Sequence, residues 1–290
     1  MKTLLVTGAR GQLGQELQGL SYTHLFRNYR FLFTDVDTLD ITDAGKVEEY
    51  IAGNGIDCII NCASYTNVDK AEAEQDAAML VNGTAPGMLA GACAEKGAFL
   101  IHVGTDFVFD GERPVPYREE DTATPLSSYG RSKLEGDRAV LGYERGTVVR
   151  TSWLYSSYGH NFFRTIHRLA VEKDELNVVY DQVGTPTYAR DLARVLLLLA
   201  VNSLSGKGSY GQELFHYSNE GVCSWYDFAL EIVTLTGMHC HVRPVETDQY
   251  PLPARRPRYS VMSKARIRSR LEIDIPHWKE SLRNCISQLD

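Results

Sequence analysis

No pair of cysteines in this 290-residue chain is spaced as C-x-x-C: Cys58, Cys62, Cys93, Cys223, Cys240 and Cys285 are scattered. A disulfide framework or a thiolate metal site is therefore not expected. Cys58 and Cys62 flank an apolar run and read as core thiols, which makes a reducing cytoplasm the expected compartment. Long basic runs are missing too. A net charge of −7 without a concentrated basic patch argues against a nucleic-acid partner, though an anionic small molecule would still bind where arginines cluster. No uninterrupted apolar stretch reaches membrane-spanning length, so no membrane partner is expected. The apolar start M-K-T-L-L-V-T is too short for a signal segment and reads as a first buried strand. The eight histidines show no metal-ligand spacing, and His239 and His241 read as strand residues. Internal repeats and low-complexity tracts are absent. What is present is ordinary for a globular protein: 43% hydrophobic and 23% charged residues. The length suits one large α/β domain, or a nucleotide-binding domain with a smaller companion.

Short apolar runs alternate with helical patterns through the first half. Residues 3–7, 31–35, 58–62, 99–104 and 147–152 are expected strands, apolar on both faces as in a parallel sheet covered on both sides. Residues 13–19, 44–53, 75–96 and 129–141 are expected helices. The alternation predicts an α/β fold with a doubly wound parallel sheet, Rossmann-like, and a smaller C-terminal substrate-binding lobe. The dinucleotide-binding part is assigned to 1–152 and 178–203, the lobe to 153–177 and 204–290. In the second half, 187–202 reads as an apolar helix. Ser224 and Asp227 are placed as a capping box, and 276–289 reads as a terminal helix opened by proline.

The stretch T-G-A-R-G-Q-L-G places Gly8, Gly11 and Gly14 between the first strand and a helix. Gly8 permits a tight turn, Gly11 lets backbone approach a pyrophosphate, and Gly14 lets helix pack on strand. The pyrophosphate would meet free N–H groups at the helix start. Asp35 ends the second strand at the spacing of a ribose-binding carboxylate. It accepts from both ribose hydroxyls of NADH and repels the 2′-phosphate of NADPH. Arg10 either offsets that repulsion or is a solvated loop charge, so the cofactor is NADH or NADPH. Asp40 either accepts from the adenine amino group or caps the next helix.

The fourth strand runs into H-V-G-T-D-F-V-F-D-G, which puts Thr105 and Asp106 at the carboxyl edge where doubly wound sheets bind ligands. The following helix carries Tyr129 and Lys133, one turn apart in S-S-Y-G-R-S-K. A cation one turn away favours the phenolate and lowers the pKa of a phenol, ordinarily near ~10, making it useful for proton transfer. The Thr105 hydroxyl would hold the substrate oxygen.

Taken with the glycine loop, these residues resemble the extended branch of the short-chain dehydrogenase/reductase family. The shared stretches run nearly end to end: G-Q-L-G-Q-E-L (11–17), I-I-N-C-A-S-Y-T-N-V-D-K-A-E (59–72), T-D-F-V-F-D-G (105–111), P-L-S-S-Y-G-R-S-K-L-E-G-D (125–137), R-T-S-W-L-Y (150–155), D-Q-V-G-T-P-T (181–187) and Y-P-L-P-A-R-R-P-R-Y-S-V-M (250–262). The resemblance implies that Gly11, Gln12 and Leu13 contact the cofactor pyrophosphate and Asp35 its ribose. It implies that Asp40 and Ile41 lie by the adenine, that Ser64, Tyr65 and Thr66 line the middle of the cofactor, and that Val103 sits beside the nicotinamide. Thr105 and Asp106 would hold a sugar, Trp153 would pack against it, Tyr129 would donate the proton and Lys133 would support it.

The activity implied is NAD(P)H-dependent reduction of the 4-keto group of a nucleotide sugar. A reductase or epimerase acting on another nucleotide sugar and a non-catalytic NAD(P)-binding regulatory subunit are the alternatives. Related dehydratases carry Thr-Asp-Glu after the fourth strand; Phe107 stands at the Glu position and has no proton to exchange, which disfavours dehydration. Arg255, Arg256 and Arg258 are the densest basic cluster and either grip the substrate diphosphate or form a solvated loop. Some relatives hold magnesium between carboxylates at a dimer interface. Glu16 would fit, but Arg190 and Arg194 stand where acidic partners are needed and only Asp191 is near. No metal-bridged dimer is expected, and the chain is read as a monomer or homodimer.

Overall fold

Strands buried on both faces need a layer of helices on each side of the sheet, and the apolar runs of the first half find both layers. In the computed structural model, which describes residues 1–289, β1 (Lys2–Thr7), β2 (Tyr29–Phe33), β3 (Cys58–Asn61), β4 (Phe99–Thr105) and β5 (Gly146–Thr151) pair in parallel in the spatial order β5-β4-β3-β1-β2. The chain leaves β1 toward one edge and returns past it to β3. That reversal opens a crevice at the carboxyl ends of β1 and β3.

On one face, α1 (Gln12–Ser21) and the helix Ala189–Ser205 pack Leu13, Leu17, Leu192, Leu196 and Leu199 against Leu4, Val6 and Ile60. On the other, α2 (Ala44–Asn54) and the helices Ala85–Lys96 and Ser128–Leu141 bury Val47, Ile51, Leu89, Cys93 and Val140 against Leu5, Ile59 and Leu100. A separate core gathers Tyr155 and Tyr188 from two short paired strands with Phe163, Ile166, Phe228, Ile232, Trp278 and Leu282 from the later helices. The Ser224–Asp227 capping box forms as its spacing predicts.

Three expectations need correction. Glu213–His216 falls inside the span expected for the smaller lobe, yet it extends the central sheet in parallel beside β5. With only Leu214 and Phe215 apolar, the stretch E-L-F-H carries too little pattern to announce a strand. The second strand ends at Phe33 rather than Asp35; as a sheet edge it is only half-buried. Only His241 of the two neighbouring histidines lies in a strand, His241–Val245, paired with Glu175–Val179. The helix Gln75–Lys96 is long and apolar enough to cross a membrane by length and composition alone, but half of its most apolar window is buried against the rest of the protein, as in a core helix. Asp290, the last residue of the expected lobe, lies outside the described residues.

Candidate active site

A cavity of about 930 Å³ opens at the crevice between β1 and β3. Gly8 adopts φ +63°, and a Cβ there would lie 2.7 Å from the backbone of Ala63. A Cβ at Gly14 would lie 2.5 Å from Ala9 and from the Gly8 carbonyl, so any side chain at either position would push the turn out of shape. Gly11 is the N-cap of α1 and supplies no side-chain cap. The first N–H groups of that ten-residue helix therefore face the cavity with no side chain in front of them, which fits the pyrophosphate of a dinucleotide.

Asp35, just past β2, accepts the Arg10 backbone N–H at 2.8 Å and the Val36 N–H at 2.9 Å, so its carboxylate is held at the cavity wall where a ribose would lie. The Arg10 guanidinium pairs with Asp37. Asp40 accepts from the backbone and hydroxyl of Thr42, while Asp43 caps α2. Of the two roles weighed for Asp40, capping is thereby removed. Gln12, Leu13, Ile41, Ser64, Tyr65, Thr66 and Val103 all line the cavity.

The helix Ser128–Leu141 delivers Tyr129 and Lys133. The Ser127 hydroxyl caps it by accepting from the Gly130 N–H at 3.1 Å, and the Glu72 carboxylate accepts from the Ser128 N–H at 2.8 Å and its hydroxyl at 3.0 Å. A carboxylate at a helix N-terminus is favoured by the dipole as well as by the orphan N–H groups. A Cβ at Gly130 would collide with the Phe107 carbonyl, so glycine lets the helix abut the end of β4 and brings Tyr129 to Thr105.

Burial sets the electrostatics here. It pushes the Tyr129 phenol up to about 12, with the Thr105 hydroxyl opposing and the Asp106 and Asp137 carboxylates adding to the rise. It pulls the Lys133 ammonium down to about 8 against the attraction of Asp137. Lys133 is 2% exposed and donates to the Val103 carbonyl at 2.6 Å. The expected lowering of the phenol pKa is thus reversed: burial dominates, and the influence that lowers it is the Thr105 hydroxyl rather than Lys133. Asp106, 2% exposed, has one carboxylate oxygen with no partner, and burial pushes it up to about 7.

Opposite these residues, Trp153 and Trp225 stack with centroids 3.5 Å apart and planes 8° apart, and Phe162 leans on Trp225 at 4.5 Å. Trp153 holds φ +46°, a left-handed conformation costly for so large a residue. A Cβ at Gly184 would sit 2.6 Å from its indole, which accounts for the glycine in D-Q-V-G-T-P-T. Arg256 reaches the cavity and forms a two-pronged pair with Asp69, at 2.8 and 3.1 Å. Arg255 and Arg258 are exposed and lie outside its lining. Glu16 is buried, accepting from the Ser156 hydroxyl at 2.6 Å and facing Arg190 at 3.5 Å. Among the described residues no group of three or more His, Cys, Asp or Glu is placed to hold a metal.

Sequence reading missed Trp225, Phe162, Gly159 and His160, which also line the cavity. Only Trp225 had a signal: its place in S-W-Y-D marks a helix start, though not the direction of the indole. It also missed Asn82, whose side-chain oxygen accepts from the Ser64 hydroxyl and the Tyr65 N–H while its amide donates to the Tyr65 carbonyl and to Ser132.

The model of the RmlD substrate binding domain matches residues 1–290. A dTDP-4-dehydrorhamnose reductase of Sinorhizobium fredii is 39% identical over 288 residues, covering 98% of this chain and 96% of that protein. The crystal structure of a dTDP-4-dehydrorhamnose reductase from Clostridium acetobutylicum is 42% identical, with a TM-score of 0.92 over 99% of both chains. The Bacillus anthracis dTDP-4-dehydrorhamnose reductase, solved in complex with NADP, is 38% identical with a TM-score of 0.93, covering 99% of this chain and 100% of that one.

Proposed function

Since the chain belongs to the RmlD substrate-binding-domain family, we propose that it is an NAD(P)H-dependent oxidoreductase that reduces the 4-keto group of dTDP-4-dehydro-L-rhamnose to give dTDP-L-rhamnose. The observation that carries this reading is the meeting of Thr105, Tyr129 and Lys133 in the same cavity as the glycine turn, with Phe107 beside them where a dehydratase would need a carboxyl group.

Gly8, Gly11, Gln12, Leu13 and Asp35 would hold the dinucleotide, with Ser64, Tyr65 and Val103 along its nicotinamide half. The bound nicotinamide supplies the hydride. Tyr129 donates its proton to the 4-oxygen of the sugar as negative charge grows there. A phenol held near 12 keeps that proton at neutral pH yet yields it readily to a far more basic alkoxide, so its raised pKa suits an acid rather than a base. The Thr105 hydroxyl donates to the same oxygen and steers it toward Tyr129. Lys133 stabilises the phenolate that remains. Asp106, half protonated near neutral pH, holds a sugar hydroxyl. Trp153 and Phe162 pack on the sugar and exclude water, and Arg256 meets the diphosphate.

Purified protein mixed with NADH or NADPH and dTDP-4-dehydro-L-rhamnose should oxidise the nicotinamide, followed by its absorbance. Tyr129→Phe should lose ~10²–10⁴-fold in kcat, the usual worth of general acid catalysis. Cofactor binding without oxidation by the wild type would refute the reading.

A further inference from the structure

Behind Lys133 lies a buried polar chain that the proposed reaction does not use. His102, on β4 and fully buried, has its Nε2 3.2 Å from Lys133 Nζ and its Nδ1 3.0 Å from the Asn61 side-chain nitrogen. The orientation of the Asn61 amide is fixed independently. Its oxygen accepts the Ala63 backbone N–H at 3.2 Å and the Thr7 hydroxyl at 2.6 Å. A backbone N–H has no acceptor role, so the Asn61 NH₂ must be what faces His102, and it donates to Nδ1. Burial and the nearby Lys133 cation keep the imidazole neutral at neutral pH. A neutral ring that accepts at Nδ1 carries its hydrogen on Nε2.

That hydrogen points at Lys133. The nearest carboxylate, Asp137, has its unpartnered Oδ1 4.0 Å from Nε2, beyond hydrogen-bond distance, while its other oxygen accepts from Arg150 at 2.8 Å. An ammonium and an imidazole N–H facing each other are two donors with no acceptor between them. The contact becomes a hydrogen bond only when Lys133 is a neutral amine, which accepts from Nε2–H while still donating to the Val103 carbonyl.

We propose that His102 is a positioning residue that presents an N–H to Lys133, stabilising the neutral amine and so letting Lys133 pass a proton to the Tyr129 phenolate after each reduction. In that step a Lys133 N–H bond breaks and a Tyr129 O–H bond forms. His102 keeps its own proton, and solvent later restores the ammonium. The inference rests on the reductase reading for the step, but not for the tautomer. The charged and titratable groups around Lys133 are Tyr129 and Asp137 on its own helix, His102 on β4, Cys62 after β3, and Arg150 on β5 through Asp137. Burial is the largest influence, lowering the amine to about 8, while Asp137 and Cys62 oppose it.

The first test needs neither substrate nor variant. Nitrogen-15 NMR of histidine-labelled protein should show His102 protonated at Nε2 and bare at Nδ1 at neutral pH, the signal being assigned by its loss in His102→Gln. The opposite tautomer overturns the proposal. The second test is Asn61→Asp, whose carboxylate accepts from Nδ1–H and turns the Nε2 lone pair toward Lys133. Carbon-13 NMR of labelled lysine should then show Lys133 titrating about one pH unit higher than in the wild type, a tenfold change in proton affinity. The alkaline fall in kcat should move up with it. A switched tautomer with an unmoved Lys133 titration overturns the link to Lys133. Absent reduction with both NMR results as expected would refute the reductase reading and leave the His102–Lys133 coupling standing.

Discussion

Asp106 shows how a single residue couples the chemistry of the site to the stability of the fold. Its carboxyl group is buried with an unpartnered oxygen and titrates near 7 instead of in the ordinary carboxylate range. The folded protein therefore binds a proton more tightly than the unfolded chain does. The stability that Asp106 contributes is full below about pH 4 and is lost as pH rises toward 7, because charging it in place costs desolvation. Asp106→Asn should remove that loss: the melting temperature of the variant should gain on the wild type between pH 4 and 8. A difference in melting temperature that does not change with pH would contradict the assignment. The same carboxyl group illustrates what the chain order reveals and what it hides. T-D at the end of a strand placed Asp106 at the ligand edge, and Tyr129 and Lys133 were paired by their one-turn spacing. The pKa of the phenol was read in the wrong direction, because spacing gives the distance between two groups but not their burial, and here burial is the stronger influence.

At the scale of the element, the π-helical turn Leu80–Thr84 interrupts the long helix between Gln75–Met79 and Ala85–Lys96. The wider turn carries Asn82, which clamps the loop of Ser64 and Tyr65 along the cavity. The helix Ser128–Leu141 crosses it so closely that a Cβ at Gly136 would collide with the Asn82 carbonyl. Gly136→Ala should therefore destabilise the protein by ~1–3 kcal/mol, as overpacking does, and should weaken dinucleotide binding by displacing the loop. Thermal unfolding and a cofactor titration check both effects; a variant as stable as the wild type would show that the crossing yields easily. The length of this helix was legible from its composition, and its ends fall where the pattern placed them. The π turn was not, since a single widened turn leaves the apolar pattern unchanged and only its tertiary partners identify it. Glu213–His216 was missed for a related reason: its strand character comes from the β5 edge it meets rather than from its own residues.

At the scale of the molecule, contacts between distant parts of the chain close the cavity. Gln12 in the glycine turn donates to the Leu154 carbonyl and accepts from Asn161, so the segment after β5 lies over the cofactor end. Arg256, from the proline-rich stretch near the C-terminus, pairs with Asp69 after β3 across the substrate end. No local pattern announces a contact spanning 187 residues, and the cluster Arg255, Arg256 and Arg258 was read as one unit although its members diverge in the fold. The divergence gives a prediction. Arg256 is the member of that cluster inside the cavity, and Asp69 holds its guanidinium in place while leaving donors for an anion. Arg256→Ala should raise the KM for the nucleotide sugar roughly 10- to 100-fold, matching the ~1.5–3 kcal/mol of a lost charge-assisted hydrogen bond. It should leave NADPH affinity unchanged, because the pyrophosphate of the cofactor sits at the far end, on α1. Arg258→Ala, outside the cavity, should move neither. Equal losses from the two substitutions would mean that the diphosphate is drawn by the net charge of the loop rather than gripped by one arginine, and raising the salt concentration would then weaken binding by the wild type as strongly as either substitution does.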